Sequence, residues 1–254
     1  MVRHIWAENT RRDLESVDPE EAVVLLPTGA IEQHGGHLPI GTDTFIAESV
    51  VRAAAAEGDD VFALPALPYG YSPHHGGVPG TITLSSETYL SVVSDVLSSL
   101  LEAGFEHLAV VNGHGGNRSL LNTAASDFRF EAGVSVATLS YWDLIAEEIA
   151  TVRESTQGGV SHAGELETSL LLYLSEELVG DQREDFIRED HDGFGRTDLF
   201  GTAAVYYPQH FDEMTETGVS GTPSAADRET GERLFEAAVA ELVAFTQVYP
   251  TWNE

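Results

Sequence analysis

Residues 29–43 read GAIEQHGGHLPIGTD and set two carboxylates, Glu32 and Asp43, beside two imidazoles, His34 and His37, directly behind the apolar run AVVLLP. Oxygen and nitrogen donors gathered so densely among glycines and prolines point to divalent metal chemistry. Glu32 and His34 stand two apart, so on an extended segment both side chains leave one face, with Cα atoms separated by roughly 7 Å. That separation suits two ligands serving neighbouring ions. Asp43 opens the helix-like stretch DTFIAESVVRAAAAEG, where an N-cap carboxylate is favoured by free backbone N–H groups and by the helix dipole. From there it can bridge a pair of cations. The same spacing also admits a plainer reading, with His34 and His37 as loop histidines and Glu32 as a surface acid, so other segments have to decide.

Three further clusters carry polar chemistry. NGHGGN (112–117) puts His114 in a strand-to-helix turn, as a ligand or as part of an anion cradle. No lysine follows, and Arg118 stands where a dinucleotide fingerprint needs its third glycine, which argues against a nucleotide. SHAGELET (161–168) holds His162, Glu165 and Glu167 at the mouth of a helix, a pattern compatible with capping or with catalysis. YGYSPHHGGVPGT (69–81) offers Tyr69, Tyr71, His74 and His75, suited to a substrate wall or to a tight loop. His4, His107, His191 and His210 have no such company and read as structural or solvated.

Positioning these residues falls to an alternation of short apolar runs and longer amphipathic ones, the pattern of a parallel sheet covered by helices. Strands are expected at 22–29, 61–67, 107–113 and 134–140, and helices at 43–57, 86–103, 117–131, 165–176 and 225–247. Ser85 or Ser86 is a candidate N-cap for the second helix and Gly104 its stop. Residues 177–224 are too irregular to assign and are expected to wrap an edge or an oligomer interface. In open parallel sheets, ligands gather beyond the carboxyl ends of the strands. EQHGGH, YGYSPHHGG and NGHGGN each follow a predicted strand, so one shared cleft is expected.

The chain has 254 residues and no linker-like segment, which suggests one domain spanning 1–254. Its charge of -30 comes from 42 acids against 12 bases, and every base is an arginine. Such charge repels nucleic acid and anionic membranes. Acid excess without any lysine is the composition expected of a halophilic protein bathed in molar salt. Cysteine is absent, so any metal must be held by His, Asp, Glu or water. The N-terminus lacks an apolar signal core and no segment approaches the roughly 20 apolar residues of a bilayer span, so a cytoplasmic protein is expected.

Together these segments resemble the creatininase (creatinine amidohydrolase) family. GAIEQHGGHLPIGTD, VPGT, NGHGGN and HAGELETS occur in the family's order and spacing, with LSYWD (139–143) a further shared segment. The likeness runs over nearly the full chain and looks like that of a haloarchaeal member. It implies a three-layer α/β/α fold with a mostly parallel central sheet, a homo-oligomer that is frequently hexameric, and two divalent metal ions per subunit, Zn, Mn or Fe. By position it implies that Glu32, Asp43 and His114 hold one metal and His34 the other, with Asp43 bridging. His162 would be the general acid/base, and Tyr71, His75, Gly115 and Trp142 would face the substrate. Creatininase proper carries Tyr and Glu directly after the NGH histidine, the Glu binding the second metal; here Gly115 and Gly116 stand in those places. Glu167, which matches the family's ETS, is expected to complete the second site, with Glu165 the fallback. The GHGGN version looks more like the broader membership, which includes an archaeal formamide hydrolase of the riboflavin and deazaflavin pathway and a peptidase of mycofactocin maturation.

Amide hydrolysis near neutral pH needs a nucleophile stronger than water, stabilisation of the oxyanion, and a proton for the departing nitrogen. A water bridging ions roughly 3.5–4 Å apart is acidified toward a pKa of about 7, and either ion polarises the carbonyl. His162 supplies the proton transfer. The expected activity is therefore attack by metal-bound hydroxide on a C–N bond of a small-molecule amide, either cyclic and creatinine-like or a formamide. A creatininase-like peptidase, which needs no HExxH helix, is the alternative, and a non-catalytic metal- or ligand-binding module a third.

Overall fold

The computed structural model describes residues 2–195, 197–201 and 204–253. Four parallel strands, β1 (Val23–Thr28), β2 (Val61–Ala63), β3 (His107–Asn112) and β4 (Ala137–Ser140), form one sheet in the order β2-β1-β3-β4. β1 and β3 pair along their whole length, from Val23 opposite His107 to Thr28 opposite Asn112. Because side chains alternate across a strand, each central strand feeds two cores. Val23, Leu25, Ala109 and Val111 face one of them, and Val24, Leu26, Leu108 and Val110 the other.

The first core is covered by α1 (Thr42–Glu57), by α4 (Glu165–Ser175) and α5 (Arg228–Val248), and by the short helices Tyr141–Leu144 and Ala146–Val152. The second lies under α2 (Ser86–Glu102) and α3 (Arg118–Ala132). The parallel sheet covered by helices is what the alternating pattern predicts, and the three-layer α/β/α arrangement is what the resemblance implies. Among the described residues no helix is long and apolar enough to cross a membrane.

Local departures have local causes. β2 stops at Ala63 rather than 67 because Pro65 has no N–H for the ladder, and the chain rejoins β1 only where Leu67 bridges Thr28. Ser85 caps α2 by accepting from the Thr88 N–H, as its position suggests. α1 begins one residue early, with Gly41 at the N-cap, so Asp43 lies inside the first turn rather than at the cap. α5 starts at Arg228, not 225, because Pro223–Ala225 is a separate 3-10 turn and Asp227 is the N-cap.

α5 packs so closely on α4 that a Cβ at Gly231 would fall 1.8 Å from the Ser169 carbonyl oxygen. Backbone meets backbone there, so no side chain can rotate away. Gly231→Ala is expected to cost about 3 kcal/mol, lowering Tm by roughly 6–12 °C in a thermal melt.

Candidate metal centre

The loops after β1, β2 and β3 meet at the carboxyl end of the sheet, where Glu32, His34, Asp43, His75, His114, His162 and Glu167 are all buried. Asp43 stands at the centre. Its Oδ1 lies 2.9 Å from His34 Nε2 and its Oδ2 lies 2.9 Å from His114 Nδ1. Glu32 Oε1 is 3.3 Å from His114 Nδ1 and 3.5 Å from His162 Nδ1, and Glu32 Oε2 is buried without a hydrogen-bond partner. Glu167 accepts from the Ala163 N–H at 2.6 Å and places Oε2 3.8 Å from His34 Nε2. Ala163 holds a φ of 53°, a left-handed conformation that is uncommon outside glycine and turns its N–H toward Glu167.

Backbone carbonyls decide which ring nitrogens face inward, since a carbonyl can only accept. His34 donates through Nδ1 to the Glu32 carbonyl at 3.1 Å, His114 through Nε2 to the Tyr71 carbonyl at 3.1 Å, and His162 through Nε2 to the Gln33 carbonyl at 2.8 Å. The opposite nitrogen of each ring is thereby turned into the cluster, as in histidines that ligate metals. Asn112 holds the turn carrying His114, accepting from its N–H at 3.0 Å and donating to its carbonyl at 2.7 Å.

So many buried carboxylates demand compensating positive charge. Burial opposes charging of His34, yet Asp43, Glu167 and Glu32 outweigh it and lift its pKa to about 10. His114 is likewise raised well above its ordinary value against the pull of burial, by Glu32 and Asp43. Burial works to raise Asp43 too, but His34 and His114 hold it well below the carboxylate range. Burial, reinforced by the Asp43 and Glu32 charges, pushes Glu167 up to about 8. His162 is depressed, first by burial and then by His34, His75 and His74. Protons on His34, His114 and Glu167 thus supply in the metal-free protein what divalent cations would supply otherwise. Inward-facing nitrogens, an orphaned carboxylate oxygen and an excess of acid fit a pair of divalent metal ions. Glu32, Asp43 and His114 would hold one, and His34, Asp43 and Glu167 the other.

A pH dependence follows. Folded-state pKa values of about 10 for His34 and about 8 for Glu167 lie above the ordinary 6.5 and 4.5, so both groups stabilise the metal-free fold at low pH and lose that contribution as pH rises through the raised values. Chelated protein is expected to melt roughly 5 °C or more lower at pH 10 than at pH 6.5, while metal loading expels the same protons and grows tighter with pH over that range. Thermal melts with and without chelator, and titrations in buffers of differing ionisation enthalpy, measure both effects.

Of the two acids at the mouth of α4, only Glu167 enters the cluster. Glu165 turns away and accepts from the Glu154 and Ser155 N–H groups at 2.7 and 3.0 Å and from the Ser155 hydroxyl. His37 also stands apart, its Nε2 3.0 Å from the Thr168 hydroxyl oxygen, and burial lowers its pKa to about 4. Gly116 has no room for a longer side chain: a Cβ would lie 2.4 Å from both the Tyr71 carbonyl oxygen and His114 Nε2, and 3.0 Å from His74 Cε1.

Above the cluster opens a cavity of about 640 Å³, walled by Tyr71, His75 and Gly115 on one side and by residues of the segment 188–220 on the other. Tyr71, His75 and Gly115 therefore stand where substrate-facing residues would. Trp142 does not: it lies in the core against Tyr141, with ring centroids 5.1 Å apart, and is not part of the cavity wall. Of the stretch 177–224, expected at an edge or an interface, Arg188, Asp198, Leu199, Tyr206, Tyr207 and Phe211 line the cavity over the cluster. Within it the short helix Phe211–Met214 sets the Phe211 ring 4.2 Å from His75 and 4.6 Å from His162. Phe211 and the stacked His74, 5.6 Å from the His114 ring, complete the imidazole wall. Sequence reasoning passed over Phe211, which nothing local distinguishes from Phe194, Phe200, Tyr206 and Tyr207 in the same irregular stretch.

The sequence profile described as creatinine amidohydrolase, of the creatininase family, matches residues 7–246. The chain is 29% identical over 250 residues to the creatinine amidohydrolase of Pseudomonas putida, covering 92% of this chain and 90% of that protein. It is 32% identical over 243 residues to the mycofactocin precursor peptide peptidase of Mycolicibacterium smegmatis, covering 91% and 85%. A mutant creatininase of the Zn–Zn type superposes with a TM-score of 0.80 at 27% identity, over 98% of this chain and 100% of that one. With its three-layer fold, its paired donor clusters and a profile match over nearly its whole length, this chain belongs to the creatininase family.

Proposed function

We propose that this protein is a metal-dependent amidohydrolase that cleaves a C–N bond of a small cyclic amide or a formamide. The observation carrying the reading is the division of Asp43 between His34 and His114, with Glu32 and Glu167 flanking it, on the floor of an open cavity. When bound, two divalent cations supply an acidified water and a Lewis acid for the amide carbonyl. The chain's own residues do the rest. Burial keeps bulk water from the carboxylates, and the carbonyls of Glu32, Tyr71 and Gln33 hold the three imidazoles in register. His162, with Nε2–H tied to Gln33, has Nδ1 left to take a proton from the attacking water and return it to the departing nitrogen.

Cleavage of a peptide bond is the second reading, favoured by the likeness to a peptide peptidase and by a cavity larger than a single small ring requires. Elemental analysis combined with an assay panel of creatinine, N-formyl amines and short peptides separates the two. Two metal ions per chain with turnover of creatinine or a formamide is the expected result. Turnover confined to peptides selects the peptidase, and absence of metal removes both. Phe194, Val205, Tyr206 and Tyr207 form an exposed apolar cluster beside the cavity mouth, which supports a homo-oligomer, to be measured by light scattering.

A further inference from the structure

His75 is buried in the cavity wall at the end of the turn Pro73–His75. Two hydrogen bonds fix the orientation of the neighbouring Gln33 amide: Oε1 accepts from the Gly35 N–H at 2.9 Å, and Nε2 donates to the Gly218 carbonyl at 2.9 Å. One hydrogen of that amide nitrogen remains. His75 Nδ1 and His162 Nε2 both lie 3.0 Å from it, but His162 Nε2 already carries a hydrogen committed to the Gln33 carbonyl. The hydrogen therefore goes to His75 Nδ1, which must accept, and the neutral ring carries its own hydrogen on Nε2.

His75 Nε2 has no hydrogen-bond partner. It stands 3.4 Å from Glu32 Oε1, while Phe211 covers the ring from 4.2 Å. By distance alone, Glu32, His75 and His162 could close on a cation. That would require the Nε2 lone pair to face the ion and a hydrogen on Nδ1, driving two N–H donors head-on at 3.0 Å. The same clash excludes a doubly protonated ring. Gln33 thus makes His75 a donor and bars it from ligation.

We propose that His75 Nε2–H is the hydrogen-bond donor for the oxygen of the scissile carbonyl, with Gln33 as its positioning residue. The assignment rests on the hydrolase reading above. As water oxygen bonds to the carbonyl carbon, the C=O π pair moves onto the carbonyl oxygen, and the His75 hydrogen bond strengthens as that charge grows. When the C–N bond breaks, the pair re-forms C=O and the nitrogen leaves with a proton delivered by His162. His75 keeps its hydrogen throughout.

The test uses the full-length, metal-loaded protein, with inorganic phosphate as a tetrahedral oxyanion. In His75→Ala, both ions should remain by elemental analysis, phosphate Kd should rise roughly tenfold, and kcat on whichever amide is turned over should fall roughly 10²-fold with KM little changed. His75→Asn, which keeps an N–H, should recover part of the loss. Nitrogen-15 spectra should show His75 protonated on Nε2, and Gln33→Glu should shift that hydrogen to Nδ1. Loss of an ion in His75→Ala, an unmoved phosphate Kd, absence of phosphate binding to the wild type, or an Nδ1-protonated ring each overturns the assignment. Failure of every amide in the wild-type panel would instead remove the hydrolase reading, leaving the metal, phosphate and nitrogen-15 results to judge the donor.

Discussion

Asp43→Ala is expected to strip the protein of both metals and to abolish turnover while leaving the fold intact. Asp43 reaches two of the three inward-facing nitrogens at 2.9 Å, His34 on one oxygen and His114 on the other. Its loss withdraws a donor from each half of the cluster. Metal affinity should drop by more than the roughly 10–100-fold typical of a group that only supports a ligand. Alanine is a good helix former, and position 43 lies in the first turn of α1, so circular dichroism should be unchanged. Elemental analysis after exhaustive dialysis is the deciding measurement. Full metal occupancy in Asp43→Ala would show that the carboxylate does not bridge.

Glu167→Gln and Glu165→Gln should give opposite signatures, although the two residues are separated by a single leucine. Glu167 belongs to the half of the cluster that contains His34, so its amide variant should lose about one of two ions, keep its Tm within a few degrees when chelated, and lose most activity. Glu165 holds the 152–156 loop through charge-assisted bonds to two backbone N–H groups and a hydroxyl. An amide there faces one of its own N–H groups toward those donors. The expected cost is about 2–3 kcal/mol, or roughly 5–10 °C in Tm, with both ions retained. Metal loss in the Glu165 variant, with none in Glu167→Gln, would reverse the assignment.

Much of this was legible in the chain because it depends on short-range order. The unbroken apolar runs in AVVLLPTG and HLAVVNG report strands buried on both faces, and Ser85 and the glycine after Glu57 mark helix ends by local backbone chemistry. His162 and Glu167 follow no predicted strand and are named from the resemblance to the family, but Glu32, His34, Asp43 and His114 could be named for a related reason. Parallel strands deliver their following loops to one end of a sheet, so residues placed just after predicted strands converge whatever the details of packing. Errors fell where a proline or a cap shifted a boundary by a few residues, as at Pro65 and Asp227.

Other features depend on contacts between residues far apart in sequence, and only the folded chain decided them. Nothing in ELET separates Glu165 from Glu167; the difference is that one meets the 152–156 loop and the other the Ala163 N–H. Trp142 belongs to a segment shared with the family, yet it packs into the core rather than the cavity. The irregular stretch 177–224 carries no periodicity to read, so its share of the cavity lining, and the placing of Phe211 on His75 and His162, emerge only in three dimensions. The sequence by itself determined the layers, the strand direction and the donor types, since these follow from side-chain period and from the chemistry of each residue. Tertiary structure alone decided which nitrogen of His75, His114 and His162 faces inward, because that rests on the carbonyls of Tyr71 and Gln33 and the Gln33 amide, 42 to 129 residues distant. Hydrogen-bond direction is a property of meeting partners, and no local pattern encodes the meeting.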